Sequence, residues 1–135
     1  MSTTNNSTPN PMIVNISAGG LVPAGNYQGR FVGIDYLPET DGDPQTGKGA
    51  RKYAAYRFKW EITEGEHQGK IVNTDTPVSQ GIKSRYIQSC GWLLPSLTNG
   101  SDLSVCVGKL YLLTIGSRAG STWLEVTNAM LLPNQ

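Results

Sequence analysis

The stretch Tyr53–Ile62 reads YAAYRFKWEI and decides the fold class. Tyr56, Phe58 and Trp60 stand at every second position, and the residues between them are charged. A period of two is typical of a half-buried strand, in which one face packs on the core and the other meets solvent. We therefore predict a β-strand, with these three aromatic side chains on its core side.

Alternation of this kind recurs along the chain, bounded by glycine and proline turns. It predicts four further strands, at Tyr27–Leu37, Lys70–Ser79, Leu103–Ile115 with an interruption at Gly108, and Thr122–Leu131. Gly65 and Gly69 bracket a short turn, so the strand at Tyr53–Thr63 and the one after it should form a hairpin. Gly29 and Gly33 are expected to share one face of the first strand and to mark a bend or a close backbone approach.

One segment has the spacing of a helix instead. Ile87, Cys90, Leu94 and Leu97 follow a helical period, Ser84 can cap the start, and Asn99-Gly100 can close the end. We predict a single short helix within Ile82–Leu97. The fold class is then mainly β: a five-stranded OB-like barrel with one short helix between strands three and four, and the OB-fold commonly binds oligonucleotides or oligosaccharides.

The chain length and the composition of its first residues suggest the domain organisation. A length of 135 residues is enough for one barrel core. Residues 1–20, rich in Ser, Thr, Asn and Pro, are predicted to form a flexible N-terminal arm, and residues 21–135 a single domain. No apolar stretch approaches the length of a bilayer span, so we expect no membrane partner and a cytoplasmic location. Cys90 and Cys106 are expected to be buried free thiols.

The segment DGDPQTGKGARK, residues 41–52, contains an incomplete nucleotide-binding motif. Gly42 to Lys48 spells G-x-x-x-x-G-K, but Gly49 replaces the Ser or Thr that would hold magnesium. A P-loop also leads into a helix, whereas a predicted strand follows here. We interpret the segment as a long connection between strands one and two that contacts a ligand.

Basic residues concentrate just after this point, although the net charge of the chain is only +1. A solvated face would explain such a run as well as a binding surface does. Single-strand binding needs cations for phosphates and aromatic faces for bases. The predicted nucleic-acid-binding residues are Arg30, Tyr36, Lys48, Arg51, Lys52, Tyr53, Arg57, Lys59 and Lys70.

Among the aromatic residues, Tyr53 is the preferred stacking candidate because alternation places it on the same face as Arg57. Trp92 and Trp123 are predicted to be packing residues. His67, the one histidine of the chain, is expected to be exposed in a turn. No G-x-S-x-G elbow, metal-ligand spacing or partner for that histidine is found. We therefore expect neither catalysis nor a cofactor.

Three motifs support a family resemblance. They are P-A-G-x-Y at Pro23–Tyr27, I-T-x-G-x-x-x-G-[KR] at Ile62–Lys70, and D-L-x-x-x-x-G-K at Asp102–Lys109. With them, the span from Leu21 to Leu132 resembles a family of small phage proteins, a domain of unknown function, that look like single-stranded-DNA-binding OB-folds.

The resemblance implies a phage protein of DNA replication or recombination, working in the host cytoplasm, with single-stranded DNA as partner and a possible homo-oligomer. The end of the chain, NAMLLPNQ, lacks the acidic tail with which better-known bacterial single-strand binders recruit partners. The alternative is a phage structural or assembly protein, a virion or decoration component built on a small β-barrel.

Overall fold

The computed structural model describes residues 22–135, so the predicted arm at residues 1–20 lies outside the described part. The elements, in chain order, are β1 (Gly25–Leu37), β2 (Ala55–Ile62), β3 (Ile71–Pro77), α1 (Arg85–Leu93), a 3-10 turn (Leu103–Cys106), β4 (Leu110–Gly116) and β5 (Glu125–Leu131). The described residues are mainly β, and the one α-helix among them lies between strands three and four as predicted.

The structure confirms the alternation of buried and less buried residues predicted for β2. Phe58, Trp60 and Ile62 are buried, whereas the residues that alternate with them, Arg57, Lys59 and Glu61, are only half-buried. The aromatic side chains pack against one another, with Phe58 and Trp60 stacked at 6.4 Å between ring centroids. We call the buried side of the sheet the inner face and the side that carries Arg57 the outer face.

All five strands form one antiparallel sheet in the order β3-β2-β1-β4-β5. The long β1 pairs with a different strand at each of its two ends. Its first part pairs with β4, where Gly25 lies opposite Ile115, and its last part pairs with β2, where Leu37 lies opposite Ala55. The predicted hairpin of β2 and β3 is confirmed.

Gly29 and Gly33 lie on opposite faces of β1, so the prediction that they share a face is wrong. A bulge between Phe31 and Gly33 shifts the register by one residue, and Gly33 lies opposite Lys59 on the outer face. Gly29 permits a close approach instead. A Cβ atom there would stand 2.5 Å from the side chain of Leu113.

Helix α1 begins as predicted and ends early. The Ser84 hydroxyl accepts a hydrogen bond from the Ile87 amide and caps the first turn. Its last residue is Leu93 and its C-cap is Leu94, so Asn99-Gly100 does not close the helix but lies in a later turn.

Strands β4 and β5 begin well after the first residues predicted for them. The Asp102 carboxylate accepts from the Ser104 amide and caps the 3-10 turn, so Leu103–Cys106 is not strand and β4 begins only at Leu110. Alternating apolar residues there mimicked a strand. Similarly, β5 begins at Glu125 rather than at Thr122.

Strands β3 and β5 are the two edges of the sheet and form no backbone ladder with each other. The predicted fold is therefore confirmed as a five-stranded antiparallel sheet with one short helix, while barrel closure is not. A side-chain hydrogen bond of 2.6 Å, donated by the Thr74 hydroxyl to Glu125 Oε1, links the two edges.

Within residues 22–135, no helix is long and apolar enough to cross a membrane. Cys90 and Cys106 are both buried and free, as predicted, and burial raises the pKa of the Cys90 thiol.

Candidate nucleic-acid interface

Arg57 lies on the outer face, as predicted, but in a tight ion pair. Its Nε and Nη2 donate to the two carboxylate oxygens of Asp75 at 2.7 and 2.9 Å. The pairing of β2 with β3 places the two residues directly opposite each other. This hydrogen-bonded carboxylate raises the pKa of Arg57. The guanidinium is charged, but its fork is already occupied.

Two other predicted cations of the outer face are paired as well. Lys59 Nζ lies 2.9 Å from Asp35 Oδ2, and Arg30 Nη1 lies 3.4 Å from Glu61 Oε1. These are partly exposed pairs, each worth roughly 0–1 kcal/mol. Together with the Arg57 pair they make the outer face over β1, β2 and β3 a charge-balanced surface. The face alone offers phosphates little net attraction.

Lys70 lies outside this surface. Its ammonium is 3.1 Å from Nδ1 of His67, in the turn that joins β2 to β3. The imidazole itself is half-buried and meets the Tyr27 ring edge-on at 5.9 Å. The prediction of an exposed histidine is therefore wrong, because β1 brings an aromatic ring against the turn.

The connection between β1 and β2, which we call the β1–β2 loop (residues 38–54), has a defined internal structure. Thr40 and Arg51 exchange two backbone hydrogen bonds, and Arg51 also donates to the Pro38 carbonyl at 2.8 Å. The Asp43 carboxylate accepts from the amides of Gln45 and Thr46, which lowers its pKa. No helix follows the G-x-x-x-x-G-K segment, since β2 begins at Ala55.

The remaining predicted loop residues are exposed. Lys48 and Lys52 form no salt bridge with any residue in the described part of the chain. Lys52 Nζ stands 5.5 Å from the centroid of the Tyr53 ring, whose residue is 71% exposed. Tyr53 precedes β2 rather than lying on it, so alternation does not place it beside Arg57.

Tyr36 is separated from the outer-face cations. It lies opposite Tyr56 in the β1–β2 ladder, and the two rings are 5.9 Å apart. Because Tyr56 shares the inner face with Phe58, Tyr36 projects to that side and is 60% exposed there.

Sequence reasoning missed a cleft of about 310 Å³ between β3 and the loop that joins β4 to β5. Arg57 and Asp75 form one wall, and Arg118, Trp123 and Leu124 form the other. Trp123 is 71% exposed, so the prediction that it packs in the core is wrong, whereas half-buried Trp92 does pack against the core. An aromatic residue and a cation within the turn-rich segment GSRAGSTW were the available signal.

A buried carboxylate, that of Glu125, connects the two sides of this cleft. Glu125 is 7% exposed and accepts two short hydrogen bonds, one from Thr74 and one from Arg118 Nε, each at 2.6 Å. Arg85 adds a third guanidinium by donating to the Asp75 carbonyl. Burial and then the charge of Arg118 lower the pKa of Arg85, which indicates that the two cations are near each other. Arg57 and Arg118 are thus paired with the carboxylates of Asp75 and Glu125, while Arg85 binds only the backbone of Asp75.

Comparison of the chain with family models, curated proteins and solved structures found no significant match. The resemblance to small phage proteins therefore stays a prediction. The described residues hold no group of three or more His, Cys, Asp or Glu side chains arranged for a metal ion.

Proposed function

We propose that the protein binds single-stranded DNA on an OB-like, partly open barrel. The OB-fold is a five-stranded, partly open barrel that binds oligonucleotides over strands two and three with the first and last hairpin loops. The strand order and the Thr74–Glu125 bond between β3 and β5 support this architecture. A role in phage replication or recombination rests on the sequence resemblance alone.

One observation supports the proposal above all: the two loops each carry an exposed aromatic ring with a cation nearby. Tyr53 lies beside Lys52 in the β1–β2 loop, and Trp123 lines a cleft with Arg118 in the β4–β5 loop. Stacked bases gain about 1–3 kcal/mol each on such rings, and neighbouring cations replace counterions along the phosphates.

The contacts are therefore proposed to differ from those predicted from the sequence. Lys48 and Lys52 contact phosphates, and so do the Nη groups of Arg118, because only its Nε is bonded to Glu125 and its side chain is 42% exposed. Arg57, whose Nε and Nη2 are both bonded to Asp75, and Lys59 remain in their ion pairs and form the surface between the loops. Three phosphate contacts on a single strand correspond to a slope of about −2 in log K against log salt concentration.

Fluorescence anisotropy with labelled dT20, and with a duplex of equal length as control, tests this proposal. We expect binding of dT20 at low salt with the slope given above and weaker binding of the duplex, whose bases are not free to stack. The double variant Lys48→Ala/Lys52→Ala should flatten the slope by about 1.4 units, from two lost contacts. Equal binding of duplex and single strand would contradict base stacking.

A second candidate is the assembly role, and one surface feature favours it. Leu112 and Met130 lie opposite each other on β4 and β5 and are both exposed. Such an apolar pair on a sheet face suits self-association. Sedimentation velocity of wild type and of Met130→Lys tests it, because a dimer built on this face should dissociate in the variant.

A further inference from the structure

A groove on the inner face has no part in the proposed DNA site. It consists of two adjoining depressions, of about 400 and 420 Å³, which share Tyr86, Ser101 and Leu103. The groove lies where β1 and β2 continue beyond the core, and in the described part of the chain the inner face near Tyr56 is covered by α1 and by the segment before β4. We call it the tyrosine groove.

Aromatic rings form one side of the groove. The Tyr56 and Tyr86 rings lie 4.7 Å apart at 37° to each other, and the exposed Tyr36 ring lies next to Tyr56. Tyr86 in turn packs on the buried Phe58 at 6.0 Å, which anchors the row to the core. Burial raises the pKa of Tyr86 to about 12, so this ring is neutral at physiological pH. The row therefore offers flat, uncharged faces of the kind that attract cations.

The charge of the groove has one sign. Among the described residues that line the two depressions, Asp102 is the single ionised one, and none is a lysine or arginine. One of its oxygens accepts from the Ser104 amide at 2.9 Å, and this bond lowers the pKa of Asp102 and keeps the carboxylate ionised. The Ser104 side chain also hydrogen-bonds to this carboxylate and contributes to its lowered pKa.

We propose that the tyrosine groove binds a segment of a partner protein that presents an arginine or lysine next to an apolar side chain. The cation stacks on Tyr56 and on the adjacent Tyr36 at the end of the groove, and it pairs with the exposed Asp102 carboxylate. The apolar side chain enters the depression beside Ile87 and Leu97. A nucleic acid does not suit this groove, because its phosphates would meet a carboxylate and no cation.

The inference goes beyond the proposed DNA binding and does not depend on it. The groove lies on the inner face, whereas Arg57 and Asp75 of the cleft lie on the outer face. The protein is thereby equipped to hold a basic partner segment and a single strand together.

The experiment is a ¹H–¹⁵N NMR titration of the full chain with two blocked hexapeptides, Ala-Leu-Leu-Arg-Ala-Ala and its counterpart with Glu for Arg. We expect saturable shifts at the amides of Tyr56, Tyr86 and Ser104, with the Arg peptide bound roughly tenfold more tightly than the Glu peptide. Asp102→Asn is the matched variant, since asparagine caps a helix as well as aspartate does. It should weaken the Arg peptide several-fold without weakening the Glu peptide, because the lost carboxylate attracts the first peptide and repels the second.

Tyr36→Ala changes an exposed ring and should weaken the Arg peptide while the chain stays folded. Binding of dT20 by Asp102→Asn should equal that of wild type, so failure of the DNA site and failure of the groove are separate results. Absence of shifts in the groove, equal affinity for both peptides, or full affinity in Asp102→Asn would overturn the proposal. Shifts of the same amides with dT20 would overturn it in favour of nucleic acid.

Discussion

Removing the Glu125 carboxylate should open the contact between the two sheet edges. Glu125→Ala leaves the Thr74 hydroxyl, which is 3% exposed, without an acceptor and releases Arg118. Breaking a buried pair costs about 3–5 kcal/mol. Because the Arg118 side chain is 42% exposed and regains water, we expect the low end, about 3 kcal/mol of unfolding free energy. The melting temperature should fall by roughly 10 °C.

Urea unfolding followed by circular dichroism measures this loss, with Glu64→Ala as control because that acid is exposed in a turn. The control should stay within about 0.5 kcal/mol of wild type. Thr74→Val removes one of the two bonds and should cost about 1–2 kcal/mol, and the double variant should cost less than the sum of the singles. A loss below about 1 kcal/mol in Glu125→Ala, or strict additivity with Thr74→Val, would refute a structural link between β3 and β5.

Three other predictions concern the loops and the tyrosine groove. Tyr53→Ala should weaken dT20 binding by about 1–3 kcal/mol, or roughly five- to hundredfold, without changing the salt slope, whereas Tyr53→Phe should bind like wild type; a changed slope would indicate a charge effect. Mg-ATP should not raise the melting temperature, since Gly49 replaces the metal-binding hydroxyl of a P-loop. A rise in melting temperature that Lys48→Ala abolished would instead support nucleotide binding by this loop. The raised pKa of Tyr86 stabilises the fold below pH 10, and this contribution is lost as the pH rises to about 12. Tyr86→Phe should therefore lose less stability than wild type across that window in alkaline unfolding, and an identical loss would contradict the assignment.

The fold was largely predictable because each strand has one solvent-exposed face and one buried face. Alternation identified β2 correctly, and the turn glycines gave the hairpin with β3. Alternation gave wrong predictions where a local backbone feature, a capped turn or a bulge, overrides the periodic pattern. The Asp102 cap turned an alternating segment into a 3-10 turn, and the bulge after Phe31 reversed the face of Gly33.

The site was less predictable, since periodicity says which face a residue takes but not what it meets there. Arg57 and Lys59 were assigned to the outer face correctly, yet their carboxylate partners come from neighbouring strands distant in sequence. Trp123 was missed for the related reason that its exposure depends on where the β4–β5 loop crosses the sheet edge. Only the assembled sheet shows which cations are already neutralised.

Tryptophan fluorescence during a dT20 titration at low salt tests single-strand binding at the cleft most directly. Trp60 is fully buried and Trp92 is half-buried, so a base that stacks on the protein should quench Trp123. We predict saturable quenching that added salt reverses, lost in Trp123→Phe, which keeps a ring for stacking and binds dT20 by anisotropy with nearly wild-type affinity. No quenching in wild type, or equal quenching in Trp123→Phe, would contradict the proposed site.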